Sequence, residues 1–192
     1  MRRWTLPGKV GELGAVDAVI HSAGLFGGPI ALTEADLPAT FAVNVLAPYI
    51  LTAKIAAERV VYLSSGMHQV RPVASDPLWH NRQWSGSQAY SESKFYVTAL
   101  AMAVARLRPQ AFSNAVDPGW VPTRMGGSGA PDDLDAGAQT QAALAIGATG
   151  FAGYSGEYLH HMAVRDPASG TRNPEVQERL LTLCQDLSGL SL

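Results

Sequence analysis

The sequence of 192 residues holds a single cysteine, Cys184, so neither an internal disulfide nor a cysteine-rich zinc site is available to it. Charge is scarce too. Only 16% of the residues are Asp, Glu, Lys or Arg, and fourteen bases against sixteen acids leave a formal charge of -2. That supplies no broad positive field, so neither nucleic acid nor anionic lipid is expected as a partner. Long apolar runs are also missing: stretches such as Tyr96 to Ala105 fall well short of the roughly 18 residues of a membrane span. Met1-Arg2-Arg3 begins like a secretory signal, but Trp4-Thr5-Leu6-Pro7-Gly8 stands where a long apolar segment should follow. The expected localisation is cytoplasmic. The five histidines show no metal-ligand spacing; His160 and His161 are adjacent, and neighbours on a strand point to opposite faces, so no metal site is expected. No Gly-x-Ser-x-Gly elbow is present to arm a hydrolase nucleophile.

What the sequence has is apolar material, 47% of its residues, enough for one compact core. Asp17-Ala18-Val19-Ile20 reads as a buried strand that opens into the loop His21-Ser22-Ala23-Gly24. Thr33 offers a helix cap, and Phe41, Val45, Tyr49, Ile50 and Ile55 carry helical spacing, with Pro38 and Pro48 predicting two pieces or a kink. Arg59-Val60-Val61-Tyr62-Leu63 is a second strand, stopping at Ser64-Ser65-Gly66. From about Ser87 to Arg108 the chain is rich in Ala, Leu and Met with no Gly or Pro, which predicts a long helix. Phe112 to Val116 is a third strand, broken by Asp117-Pro118-Gly119. Pro131-Asp132-Asp133 opens a helix to about Ile146, Gly156 to Met162 forms a final strand, and Asn173-Pro174 starts a helix with Val176, Leu180, Cys184 and Leu187 on one face. This alternation predicts an α/β fold, a doubly wound parallel sheet covered on both faces, with ligands beyond the carboxyl ends of the strands.

Tyr90 and Lys94 stand four residues apart on the long helix and share a face. An ammonium beside a phenol favours the phenolate, which suits Tyr90 to exchange a proton with a carbonyl or alcohol oxygen. Alone, such a pair is an ordinary helix-surface feature. Ser65, at a strand tip, can donate to a substrate oxygen; by itself it is loop filler. Asn44 lies in the apolar run Phe41-Ala42-Val43-Asn44-Val45-Leu46, where a buried amide needs partners, and reads equally as a structural amide. Pro118-Gly119-Trp120-Val121-Pro122-Thr123 makes a rigid turn with backbone donors and a hydroxyl, a clamp for a planar amide or simply a turn.

In their order these segments resemble the short-chain dehydrogenase/reductase family, and more narrowly its retinol-dehydrogenase-like branch, which includes polyketide ketoreductases. The narrower resemblance lies in Ser64-Ser65-Gly66-Met67-His68, Gln88-Ala89-Tyr90 and Asp117-Pro118-Gly119-Trp120-Val121-Pro122-Thr123. His21-Ser22-Ala23-Gly24 stands where that family has Asn-Asn-Ala-Gly, with Ser22 departing from its asparagine. The resemblance implies an NAD(P)-dependent oxidoreductase interconverting a ketone or aldehyde with an alcohol. Tyr90 would be the general acid or base, Ser65 would orient the carbonyl, Lys94 would lower the Tyr90 pKa and hold the nicotinamide ribose, and Asn44 would position a water. Ala23, Gly24, Pro118, Gly119, Val121 and Thr123, with Tyr90 and Lys94, would contact the cofactor, NAD or NADP, with NADP favoured for a reductase. A homodimer through the helices around Asn44 and Tyr90 is the analogous expectation. The wide Ser65 to Tyr90 interval carries Trp79 and Trp84, which either wall an apolar substrate site or pack.

The family's glycine-rich phosphate turn precedes the segment matching His21 to Gly24, and the 20 residues before it are fewer than one βαβ unit requires. Gly8, Gly11 and Gly14 follow no strand and are no substitute. Residues 1–192 are therefore expected to form one Rossmann-like NAD(P)-binding domain, incomplete at its N-terminus, with the first βαβ unit missing. Two other readings stay open. One is a catalytically inactive, truncated homologue acting as an interaction or remnant protein; the other is a nucleotide-sugar epimerase, which shares the Tyr-x-x-x-Lys chemistry.

Overall fold

The computed structural model describes Gly14 and residues 16–192. Three parallel strands form one side of the sheet: β1 (Val16–His21), β2 (Ala57–Leu63) and β3 (Phe112–Asp117), with Val19 beside Val60 and Val61 beside Asn114. β4 (Tyr158–His160) adds in parallel to β3, and β5 (Ala163–Arg165) pairs antiparallel with β4. Spatial order follows chain order, β1-β2-β3-β4-β5. Of the strand predicted from Gly156 to Met162 only Tyr158–His160 is extended, and β5 follows beyond it. The chain reverses at His161 and Met162, whose φ angles of 44° and 64° are left-handed and incompatible with a continuing strand. That reversal also overturns the expectation that His160 and His161 diverge: their rings stack, with centroids 3.9 Å apart.

Alternation along the strands divides the core in two. Val60, Tyr62, Ala115 and Tyr158 face α3 (Gly86–Leu107) and the C-terminal helix α5 (Pro174–Ser188), whereas Val61, Val116 and Leu159 meet Leu144 of α4 (Leu134–Ala145) on the other face. Both faces are covered, so the α/β expectation holds. No helix among the described residues is long and apolar enough to cross a membrane.

The segment between β1 and β2 is helical in three pieces: α1 (Ala39–Phe41), a π-helical turn (Ala42–Leu46) and α2 (Ala47–Lys54). Thr33 does not cap it. Its hydroxyl accepts from the amides of Ala35 and Leu37 in a preceding turn, and α1 begins after Pro38 with no side-chain cap. Asp133 is the N-cap of α4, accepting from Ala136, so Asp132 lies outside the helix. Asn173 caps α5 through Glu175, and Gly189 ends it in the left-handed conformation that glycine adopts most readily.

α3 is the central pillar. Ser85 caps it, and every residue from Ala89 to Val104 is buried. α5 and a 3₁₀ turn (Ser169–Arg172) pack against it. At its first residue, Gly86, a Cβ would stand 2.5 Å from the Gly28 carbonyl oxygen. The glycine lets the loop after β1 cross close to the start of α3, where Phe26 meets Tyr90.

Candidate active site

The strand tips assemble the site. At the end of β2, Ser64 bonds Thr98 of α3 at 2.7 Å, which fixes the neighbouring Ser65 beside that helix. Ser65 is half-buried and caps a 3₁₀ turn (Gly66–His68), accepting from Met67 at 3.2 Å. Its hydroxyl also interacts with the Tyr90 phenol and favours the ionised form.

Lys94 is buried one helical turn beyond Tyr90. Its ammonium donates to the Leu63 carbonyl at 2.7 Å and lies 5.5 Å from the centre of the Tyr90 ring. Burial lowers its pKa to about 8, with the Asp117 carboxylate opposing the shift. Sequence spacing alone predicts that Lys94 lowers the Tyr90 pKa. The geometry gives the opposite balance: desolvation dominates and, with the Asp117 charge, raises the Tyr90 pKa, while only Ser65 pulls it down.

Asn44 occupies the π-helical turn, and its amide joins three parts of the site. Oδ1 accepts from Leu25 N–H at 2.8 Å, while Nδ2 donates to Leu25 O at 3.0 Å and to Ser93 Oγ at 2.8 Å. Both amide protons are therefore spent. Gly24 lies alongside: a Cβ built there would sit 3.5 Å from Met125 Cε, 3.6 Å from Asn44 Oδ1 and 3.7 Å from Lys94 Nζ. The structure thus brings Gly24, Asn44, Ser65, Tyr90 and Lys94 to one end of the sheet, with Ala23 exposed on the same loop.

The turn after β3 is bracketed by two carboxylates. Gly119 N–H donates to Asp117 Oδ1 at 3.0 Å, and Trp120 N–H donates to Asp132 Oδ2 at 2.6 Å. Two of the backbone donors expected to clamp a planar amide are thus already engaged, and the next amide is that of Val121. Thr123 is exposed and closes a further turn, its hydroxyl accepting from Gly126 and its carbonyl from Gly127. Pro118 accepts from His161 Nε2 at 3.3 Å.

The tryptophans of the long loop are packing residues. Trp79 is buried beneath the Arg82 guanidinium and edge-on to Trp84, whose indole N–H bonds Gly28 O at 3.1 Å. The apolar side chains at the site come from elsewhere. Phe26 meets Tyr90 edge-on at 4.7 Å, and Leu25, Met67, Trp120 and Met125 are exposed on the loops that carry the site. Their sequence signal was slight, since single apolar residues in loops are common.

No protein-family model matches the chain. Among curated proteins, it is 33% identical over 189 residues to the short-chain dehydrogenase chyC of Penicillium rubens, covering 96% of this chain and 73% of the relative. It is 32% identical over 193 residues to the short-chain dehydrogenase chry4 of Gibberella zeae, covering 97% and 74%. The chain belongs to the short-chain dehydrogenase family. Solved structures agree on the fold. A protein from Mycobacterium paratuberculosis superposes with a TM-score of 0.77 at 20% identity, covering 95% of this chain and 71% of that one. An NADPH-bound carbonyl reductase from chicken fatty liver gives 0.52 at 20% identity, covering 80% and 66%. As a short-chain dehydrogenase, the chain has residues that fit the ribose and nicotinamide half of a dinucleotide. Lys94 spends one of its three donors on Leu63, and Gly24 keeps the loop after β1 free of a side chain beside it. Gly8 and Gly11 of the weak N-terminal glycine spacing lie outside the described residues.

Proposed function

We propose that the chain is an NAD(P)-dependent oxidoreductase that interconverts a ketone or aldehyde with an alcohol, with Tyr90 exchanging the proton. The observation that carries this reading is the convergence of the Tyr90 phenol, the Ser65 hydroxyl and the buried Lys94 ammonium at the carboxyl ends of the strands. The nicotinamide supplies or accepts the hydride when bound. Ser65 donates to the substrate oxygen, where negative charge grows as the carbonyl is reduced. Tyr90 gives that oxygen its proton in reduction and takes the proton back in oxidation. Lys94 holds ribose hydroxyls with the donors that Leu63 leaves unused.

Asn44 cannot hold a water through its amide protons, which Leu25 and Ser93 occupy. The group it offers to a proton relay is its backbone carbonyl, since Pro48, at the helical donor position, has no N–H. Phe26, Leu25, Met67, Trp120 and Met125 suit a carbonyl carried on an apolar or aromatic frame. NADP is the preferred cofactor in this reading, supported by the NADP bound to the angucycline C-6 ketoreductase LanV and the NADPH bound to the chicken carbonyl reductase.

Titration with NADPH and NADH, followed by nicotinamide fluorescence, tests the cofactor. Reduction of aromatic ketones and aldehydes tests the reaction. Tyr90→Phe should lower turnover by roughly 10²–10⁴-fold. A protein that binds neither nucleotide at millimolar concentration is catalytically silent, and the reading fails.

A further inference from the structure

One charged group lies inside this cluster without a role in the reading above. Asp117 ends β3, and its side chain is 13% exposed. Gly119 N–H donates to Oδ1 at 3.0 Å, and His160 Nδ1 lies 3.4 Å from Oδ2. On the side of Ser65 the carboxylate closes against Gly66, where a Cβ would come within 3.2 Å of Oδ2. Strand pairing explains the location. Val116 pairs with Leu63, whose carbonyl holds Lys94, so the residue after Val116 falls beside the Ser64-Ser65-Gly66 tip.

We propose that Asp117 is a positioning residue for proton transfer, a fixed negative charge that keeps Lys94 as the ammonium and Tyr90 as the neutral phenol. The purpose rests on the reading of Tyr90 as the proton donor; the charge relation stands independently of it. Those two states are the ones from which Tyr90 passes a proton to a carbonyl oxygen. Burial pushes Lys94 toward the neutral amine, and Asp117 opposes that. The same charge resists formation of a phenolate at Tyr90.

The groups facing Asp117 come from every neighbouring element. They are Tyr90 and Lys94 on α3, His68 in the 3₁₀ turn, Tyr158 and His160 on β4, and Gly119 in its own turn. The Tyr158 hydroxyl is buried, and burial first and the neighbouring Asp117 carboxylate second disfavour its ionisation. Asp132 is the natural control. It bonds the next amide of the same turn, yet it is not among the charges acting on Tyr90 or Lys94.

The test is a pH titration of unliganded protein carrying ¹³Cζ-labelled tyrosine, with Tyr90→Phe identifying the Tyr90 resonance. Asp117→Asn keeps the shape and the acceptor for Gly119 while removing the charge. It should move the Tyr90 midpoint down by roughly one pH unit. Asp132→Asn should leave that midpoint in place. No shift in Asp117→Asn, or an equal shift in both variants, overturns the proposal. Asp117→Ser, which also retains an acceptor, provides the same comparison if the amide variant does not fold. Failure to reduce any carbonyl would remove the proposed function and leave this titration intact, so the two failures are distinguishable.

Discussion

Pro48 stands four residues after Asn44, the position from which an α-helix would supply the N–H for the Asn44 carbonyl. Proline has no N–H, and its ring presses on the carbonyl four residues back. The chain widens there: Ala42–Leu46 is π-helical, and Ala47 N–H reaches back to Ala42 O. The geometry of a candidate site residue is thus set by a proline one turn away, as often found for such widenings at functional sites.

Pro48→Ala restores the missing donor and should close the turn into regular α-helix. A proline inside a helix costs about 3 kcal/mol, and losing two buried methylenes costs about 1.6 kcal/mol, so a net gain of about 1 kcal/mol in unfolding free energy is expected. Closing the turn rotates Asn44 away from Leu25 and Ser93, and turnover should fall at least about tenfold. Urea unfolding and steady-state kinetics measure the two effects. Unchanged turnover in a more stable variant would assign the widening to packing alone.

Much of this arrangement was legible in sequence because it is local. The run of Ala, Leu and Met from Ser87 to Arg108 lies almost wholly in α3, and the β-branched runs became β1, β2 and β3. Tyr90 and Lys94 share a helix, so their proximity follows from spacing. The errors arose where distant segments decide. Asp117 reads as a turn former, since only the β2–β3 pairing places it beside Gly66, and only β4 brings His160 to it. Lys94 reads as a partner that lowers the Tyr90 pKa, but its nitrogen is turned to a strand-tip carbonyl 31 residues away. For Trp79 and Trp84 the sequence leaves substrate wall and packing both open, and only the fold shows them against Arg82 and Gly28.

Lys94→Met should separate stability from function. With its folded pKa at about 8 and an ordinary value of 10.5, burial of the ammonium costs about 3 kcal/mol wherever both states are protonated, that is, below pH 8. Methionine removes that cost and fills similar volume, but loses the bond to Leu63. A net gain of about 1–2 kcal/mol is expected at pH 7. It should fade as pH rises from about 8 to 10.5, above which the wild-type lysine is neutral in both states. Denaturant titrations at pH 7 and pH 10.5, beside an activity assay expected to show almost complete loss, check both halves. A destabilised variant at pH 7 would mean that the Leu63 bond outweighs the charge burial.

His21 sets an acid limit on the fold. It is 7% exposed at the end of β1, bonds Thr52 at 3.1 Å and lies against the Tyr62 ring at 4.8 Å, in a network completed by the 2.7 Å contact of Thr52 with Tyr62. Desolvation lowers its pKa from 6.5 to about 4. Above pH 6.5 the ring is neutral in both folded and unfolded chains and contributes no pH dependence. Between 6.5 and 4 only the unfolded chain takes up the proton, so stability falls as the medium is acidified, by about 2 kcal/mol at pH 5 and about 3 kcal/mol in full. His21→Asn removes the titrating group. It should be less stable than wild type at pH 7.5, having lost the contact with Tyr62, yet lose about 2 kcal/mol less on going to pH 5. Urea unfolding of both proteins at the two pH values isolates that difference from the contributions of the other histidines. Equal slopes in the two proteins would show that His21 takes up its proton without unfolding, and that the Thr52 and Tyr62 network does not hold it neutral.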